Sequence, residues 1–138
     1  MTERKRIERL ATKVMGWSEG TTTIGPLVHN CWLDENSSEF AAAIDYFEDL
    51  GTLQHFPWNP LRNANDAMMV VDRLIGDEEN KPSWKPTMRY WSTSPKWRVD
   101  FLKHDGPYVG PSIGGSGDTL ELAICEAAEK VVRYLEDE

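Results

Sequence analysis

The sequence lacks the features that mark several large classes of protein. Its 138 residues hold two cysteines, Cys31 and Cys125, which could pair, but nothing else indicates secretion. Cys125 lies in a helical pattern that favours a buried free thiol. No apolar run approaches the roughly 20 residues of a membrane-spanning helix. The N-terminal residues 1–13 lack the apolar core of a signal peptide. These absences predict a cytoplasmic chain.

Positive charge is scarce. The chain has 15 Lys and Arg against 23 Asp and Glu, which gives a net charge of −8 and argues against binding long nucleic acid. The deficit is uneven, because residues 34–49 carry six acids and no Lys or Arg, whereas residues 81–103 carry six bases and one acid. The second stretch therefore has a net charge of +5. It also holds the aromatic residues Trp84, Tyr90, Trp91, Trp97 and Phe101.

No motif of a known catalytic site is present. His29 and Cys31 could supply two metal ligands, but no second pair stands at the spacing of a metal site. The glycine-rich residues 110–117 lack the Lys-Ser/Thr pair of a phosphate-binding loop, and Asp118 would repel an anion. The sequence therefore predicts no metal, no cofactor and no enzymatic activity, and it predicts a flexible connector over 110–117.

Three segments have the apolar periodicity of helices. The first runs from an N-cap at Thr2 to a stop at Gly16, and the second follows a cap at Asn63. The third is predicted to open at Asp118, whose pairing with Glu121 resembles a capping box. Its predicted buried stripe is Leu120, Ile124, Ala127, Ala128, Val131 and Leu135.

A fourth helix is predicted within residues 37–51 as an insertion in the domain. Phe40, Ala43, Ile44 and Phe47 have the spacing of one helical face. An inserted flap is the alternative interpretation of this segment.

Strand periodicity is clearest in residues 96–103. There Trp97, Val99 and Phe101 alternate with Arg98, Asp100 and Leu102. Together with residues 88–93 this segment predicts an antiparallel hairpin. Shorter extended segments are predicted at residues 21–24, 29–33 and 53–58. The order of elements predicts a single α+β domain over 1–138. Its predicted form is a layered α/β/α sandwich with a small, mainly antiparallel sheet and N- and C-terminal helices.

Residues 7–17, 58–71 and 118–128 carry a recognisable order of motifs. An opening helix is followed by an Asn-Pro before a middle helix, by aromatic strands, and by a final helix with Ala-Ile-Cys-x-Ala-Ala. This order resembles the phage ABA-sandwich domain family and, more loosely, the NinX-type phage proteins. The likeness leaves out residues 39–50. It implies a phage or prophage gene and an αβα layered domain, and it carries no activity.

Two segments hold the candidate ligand-binding residues. Ahead of the middle helix, Trp58 can stack on a base while Asn59 and Arg62 bind phosphate or base edges. The alternative, which the sequence favours, is that Asn59 and Asn63 satisfy backbone groups at a turn and a cap.

In the basic-aromatic hairpin, Arg89, Trp91 and Arg98 can form a solvent-exposed sheet face. Such a face can bind an anionic ligand that has an aromatic ring for stacking. The alternative is a half-buried hairpin whose basic side chains are simply solvated.

These features predict a small accessory protein of a phage or prophage. Its predicted function is that of a non-enzymatic binding protein that sequesters an anionic nucleotide signal of host defence, because a small anion needs only a local basic pocket. The alternative is a protein-interaction module that inhibits a host protein through its acidic surface. The oligomeric state is left open, a homo-oligomer included.

Overall fold

The computed structural model describes residues 2–49, 53–76, 83–105 and 108–137. Within these ranges the helices are α1 (Glu3–Arg9), which continues as a π-helical turn over Leu10–Val14, α2 (Ala64–Ile75) and α3 (Leu120–Glu136). The strands are β1 (Trp17–Ile24), β2 (Leu27–Asp34), β3 (Phe40–Ala43), β4 (Phe47–Asp49), β5 (Leu53–His55), β6 (Ser83–Tyr90), β7 (Trp97–Asp105) and β8 (Tyr108–Gly117). They pair in three antiparallel sheets of order β1-β2-β3, β4-β5 and β6-β7-β8. The predicted α+β fold class is confirmed.

The predicted boundaries of the first two helices are confirmed by their caps. The Thr2 hydroxyl accepts a hydrogen bond from the backbone N–H of Lys5 at 3.2 Å, and the Asn63 side chain accepts one from the N–H of Asp66 at 3.0 Å. The first helical segment stops at Gly16, whose φ of +70° is a left-handed conformation that favours glycine.

The predicted opening of α3 at Asp118 is wrong by one residue. The N-cap is Thr119, whose hydroxyl accepts from the N–H of Leu122 at 3.2 Å. Asp118 instead accepts a hydrogen bond from the Ser94 hydroxyl at 2.5 Å. The predicted stripe also extends too far, because Leu135 is 45% exposed.

The core is centred where α3 packs on β7 and β8, with α2 beside α3 and against β6. Val99 and Phe101 of β7 and Ile124 of α3 have no exposed surface. Trp97 is half-buried on the same side of β7, while Arg98 is exposed. The alternation predicted for this strand is confirmed.

The connector predicted over residues 110–117 is wrong, because these residues belong to β8. Val99 of β7 pairs with Gly115, and Phe101 pairs with Ile113. A Cβ added at Gly115 would lie 2.4 Å from the backbone nitrogen of Ala127 in α3. Glycine here lets the strand lie directly against the helix, so the residue type that suggested a loop serves close packing.

The helix predicted within residues 37–51 is also wrong. Residues 40–43 and 47–49 form β3 and β4, while residues 50 and 51 lie outside the described ranges. Ala43 pairs with Cys31 of β2, and its carbonyl accepts from the N–H of Trp58 at 2.9 Å. Hydrogen bonds to neighbouring strands therefore replace the local bonds of a helix.

Both cysteines are free and fully buried, as predicted for Cys125. Burial raises the pKa of the Cys31 thiol, and it raises that of Cys125 to about 12. Within the described part of the chain, no helix has the length and apolar character that crossing a membrane requires.

Candidate functional site

An acidic cleft of about 280 Å³ lies where α1, β1 and the segments after β3 and β5 meet. Four carboxylates line it, those of Glu3, Glu8, Glu19 and Asp45. Its apolar walls include Ile7, Trp32, Ile44 and Trp58. The cleft therefore combines negative charge with aromatic surface.

The carboxylates of the acidic cleft outnumber its cations. Among the described lining residues, Arg4 is the one basic side chain, and its Nε donates to Glu8 at 3.3 Å. Asp45 accepts a hydrogen bond from the Asn30 side chain at 3.0 Å. The Glu19 carboxylate has no hydrogen-bond or ion-pair partner in the part of the chain that the structure describes. Arg62 pairs with Glu3 and Lys5 contacts Glu8 at 4.0 Å, so the unpaired negative charge of the cleft comes from Glu19 and Asp45. This remaining charge suits a cationic ligand.

Trp58 connects the cleft to the core. Its side chain is 4% exposed, and its ring contacts that of Trp17 edge-on with centroids 4.9 Å apart. Its indole N–H has no hydrogen-bond partner among the described residues. Buried indole N–H groups usually have an acceptor, so Trp58 carries an unsatisfied hydrogen-bond donor.

Asn59 and Arg62 are both engaged by Glu3. The Asn59 amide donates to Glu3 Oε1 at 2.9 Å, and the Arg62 guanidinium donates to both carboxylate oxygens at 2.9 and 3.0 Å. These bonds, first those from Arg62 and then that from Asn59, lower the pKa of Glu3 from 4.5 to about 2. We call this arrangement the Glu3 clamp, and it ties α1 to the segment after β5.

The structural interpretation of Asn59 and Asn63 is confirmed. The Asn59 side chain accepts from the N–H of Leu61 at 3.1 Å, while its own N–H donates to Asp66 at 2.9 Å. Burial raises the pKa of Asp66, and the bond from Asn59 partly offsets this rise. With Asn63 capping α2, the polar residues of this segment hold the turn together.

Arg89, Trp91 and Arg98 lie together at one end of the β6–β7 hairpin. Arg89 and Arg98 are direct cross-strand partners, and both are exposed. Arg98 donates to Asp100 on its own strand at 3.1 Å. Trp91 follows β6 and is 51% exposed. We call the exposed surface formed by Arg89, Trp91 and Arg98 the basic face.

The structure divides the six predicted residues between two places. Trp58 and Asn59 line the acidic cleft, and Arg62 reaches its edge through Glu3. No described residue that lines the cleft belongs to β6, β7 or β8, so the basic face is separate. Sequence reasoning missed Glu19 of the cleft. Asp45 lies within the acidic stretch 34–49, which was the available signal.

Metal-binding geometry is absent from the described ranges, where no group of three or more His, Cys, Asp or Glu side chains is placed to hold an ion. His29 and Cys31 have other roles in β2. The His29 ring stacks on Phe47 with centroids 4.4 Å apart, and Cys31 is buried in the core.

The model of the phage ABA sandwich domain matches residues 8–128 of this chain. The chain therefore belongs to the phage ABA sandwich domain family, which confirms the resemblance drawn from the sequence. The match runs through residues 37–51. This family is not known as a family of enzymes.

Comparison with solved structures finds similarity to a phage protein from Bacillus cereus ATCC 14579. The identity is 19% and the TM-score 0.48, over 93% of this chain and 89% of that chain. No curated protein matches the sequence.

Proposed function

We propose that this member of a phage protein family is a non-enzymatic protein-interaction module. It binds a basic segment of a host protein through the acidic cleft and thereby inhibits that protein in the host cytoplasm. The observation that carries the proposal is a pair of cleft carboxylates, those of Glu19 and Asp45, that have no ion-pair partner among the described residues, in a chain of net charge −8. Such a surface steers a basic partner and rejects acidic ones.

The chemistry of the cleft supports binding rather than catalysis. A carboxyl with a pKa of about 2, such as Glu3, stays ionised at neutral pH and is a poor general acid. Glu3 is also held by three hydrogen bonds from Asn59 and Arg62. Glu3 is therefore a structural ion-pair partner of Arg62, and the negative charge that recognition of a basic segment needs comes from Glu19 and Asp45.

The test begins with capture of host proteins at low and high salt, followed by calorimetry on the purified partner. We expect Glu19→Gln with Asp45→Asn to weaken binding about tenfold, because two cleft charges are lost. The matched control is Asp72→Asn with Asp137→Asn, which removes two exposed carboxylates outside the cleft. Equal binding by the cleft variant and the wild-type chain would count against the proposal.

A second candidate function is the binding of an anionic nucleotide on the basic face. Like charges directly opposite each other destabilise a strand pair, yet Arg89 and Arg98 are direct partners. Asp100 already pairs with Arg98, so a phosphate bound between the two arginines would neutralise the charge that remains on Arg89. The exposed Trp91 offers a stacking surface nearby. Asn59 and Arg62 are already engaged by Glu3, so this candidate rests on the hairpin residues.

Calorimetric titration with a panel of linear and cyclic nucleotides tests the second candidate. We expect Trp91→Ala and Arg98→Ala each to weaken binding about tenfold, or ~1.4 kcal/mol, while the fold stays intact. Lys85→Ala, an exposed base on the same hairpin, is the control for general charge. A folded chain that binds no nucleotide in the panel would exclude this candidate.

A further inference from the structure

The hairpin formed by β1 and β2 is uncharged over most of its length, and its tip is exposed. Residues 20–33 contain no Asp, Glu, Lys or Arg, in a chain of which 28% is charged. Leu27 and Val28 near the turn are 61% and 63% exposed. A Cβ added at Gly25 in the turn would meet no described atom within 4 Å beyond its own chain neighbours. The outer half of the hairpin therefore offers an uncharged, partly apolar surface in a protein of net charge −8.

Strand β1 lies at the edge of its sheet and lacks the features that protect most edge strands. In the described ranges β2 is the one strand that pairs with it, through a continuous register with no bulge. One row of backbone N–H and C=O groups of β1 therefore has no strand partner there. Proteins commonly protect such an edge with lysine, proline or a bulge. The edge strand β6 has Lys85, Pro86 and Arg89, whereas the one charged residue of β1 is Glu19.

We propose that two copies of the chain form a two-fold symmetric dimer in which their β1 strands pair antiparallel, centred on Thr22. This inference goes beyond the proposed interaction function and does not depend on it. Thr22 then lies opposite Thr22 of the second copy, and Thr21 lies opposite Thr23. Threonine pairs across antiparallel strands are stabilising. One self-complementary contact thus satisfies the free backbone groups of both edges.

Charge and packing favour a second copy as the occupant of this edge. In the proposed register the two Glu19 carboxylates lie roughly 20 Å apart along the strands, which is more than the Debye length of about 8 Å. Repulsion between the two acidic chains is therefore weak where the edges meet. Ile24 lies opposite Gly20 of the second copy, over which that copy's Leu33 extends. Because cross-strand partners share one face of a sheet, Ile24 and Leu33 pack across the interface.

Sedimentation velocity of the full chain tests the dimer. We expect a reversible monomer–dimer equilibrium with a Kd of about 20 μM, measured from about 1 to 500 μM protein. The contact holds no ion pair, so dimerisation should be as strong in about 1 M salt as in about 0.1 M salt. Binding of a basic host segment to the acidic cleft should weaken over the same range of salt, which separates the two interactions.

A lysine at the two-fold axis should break the dimer. Thr22→Lys brings two ammonium groups opposite each other, and like charges at that position destabilise a strand pair, so we expect dimerisation to weaken at least about tenfold. Thr87→Lys is the matched control, because Thr87 is an exposed threonine of β6, and it should leave the dimer unchanged. Circular dichroism of both variants checks that they fold.

Thr22→Cys tests the register independently of affinity. Directly opposite residues have Cα atoms about 4.5–5.5 Å apart, which a disulfide can span, so oxidation should yield a linked dimer. In Thr23→Cys the two thiols start from Cα atoms roughly 8 Å apart, beyond disulfide reach, and linkage should be at least about tenfold slower. The native Cys31 and Cys125 are fully buried in the wild-type chain, which sets the background rate.

A chain that stays monomeric at the highest concentration would overturn the proposal. A dimer that Thr22→Lys leaves intact would place the interface elsewhere and overturn the assignment to β1. Faster linkage of Thr23→Cys than of Thr22→Cys would overturn the register. If the chain is monomeric and Thr22→Lys loses binding to the host protein, the edge belongs to a strand of that protein, so self-pairing falls and the interaction function stands. If the chain dimerises and captures no host protein, the dimer stands and the interaction function falls.

Discussion

Two regions of the molecule bury their apolar side chains to very different degrees. In the C-terminal region, which comprises β6, β7, β8 and α3, Val99, Phe101 and Ile124 are 0% exposed. In the middle region, residues 40–49 and 53–58, Leu53 is 57% and Phe56 67% exposed. Both regions are rich in apolar residues, so composition does not explain the difference.

The difference in burial follows from the length of the strands and from whether a helix covers them. The C-terminal region pairs strands of eight to ten residues and covers them with a helix of 17. Strands β4 and β5 have three residues each, and an isolated strand pair is marginally stable in water. The buried Phe47 is held between the His29 and His55 rings, with centroids 4.4 and 4.5 Å away. The middle region is therefore fixed by contacts at its ends, the Trp58 packing and the Glu3 clamp among them.

The largest expected effect comes from a charge in the C-terminal region. Ile124→Asp places an unpaired carboxylate against fully buried neighbours and should lower the free energy of unfolding by about 3–5 kcal/mol, as measured by urea denaturation. Leu135→Asp is the matched control, because Leu135 lies on the same helix and is 45% exposed. Equal stability of the two variants would mean that the contrast between the regions does not rest on α3.

A single methyl group should also disturb the C-terminal region. Gly115→Ala brings a Cβ to 2.4 Å from the backbone nitrogen of Ala127, so strand and helix must move apart. Overpacking of this kind costs about 1–3 kcal/mol. The control is Ser116→Ala on the next residue of β8, and thermal unfolding of the two variants compares them. Gly115→Ala matching the control would show that β8 does not pack tightly on α3.

Acid should loosen the attachment of the middle region through the Glu3 clamp. The pKa of Glu3 falls from 4.5 to about 2 in the fold, so its ionised form is stabilised. This contribution is fully present above about pH 4.5 and is lost as the pH falls towards 2. In Arg62→Gln we expect the pKa of Glu3, followed by carboxyl NMR, to return towards 4.5. An unchanged titration would assign the shift to something other than the clamp.

The smallest effect is expected at the surface of the middle region. Phe56→Ser changes a side chain that is 67% exposed and should alter the free energy of unfolding by less than about 0.5 kcal/mol. Phe47→Ala removes the ring between the two histidines and should cost about 3 kcal/mol. Chemical denaturation of both variants measures the contrast within one region. A large loss from Phe56→Ser would indicate that the exposed ring contributes to folding.

The sequence predicts the C-terminal region better than the middle one for a physical reason. The alternation around Val99 and the helical spacing around Ile124 are local signals that the tertiary structure agrees with. In the middle region, Phe40, Ala43 and Phe47 have helical spacing, but pairing with β2 and β5 decides their conformation. Gly115 suggested a loop, because the sequence does not show that this glycine lets β8 pack directly against α3.

The acidic cleft was harder to predict than the fold. Its carboxylates come from separate segments, with Glu3 and Glu8 on α1, Glu19 on β1 and Asp45 after β3. A patch assembled from distant segments leaves no spacing to detect. The acidic stretch of residues 34–49 gave the sign of the surface, and the structure supplies its shape.

The two buried thiols make the two regions separately observable in time. Cys125 lies in α3, while Cys31 pairs with Ala43 of the middle region. A thiol reacts as its thiolate, and burial disfavours that form at both positions. A labelling reagent therefore modifies each cysteine only while its surroundings are transiently open. The rates of modification of the native chain report how often each region opens, and no cysteine has to be introduced.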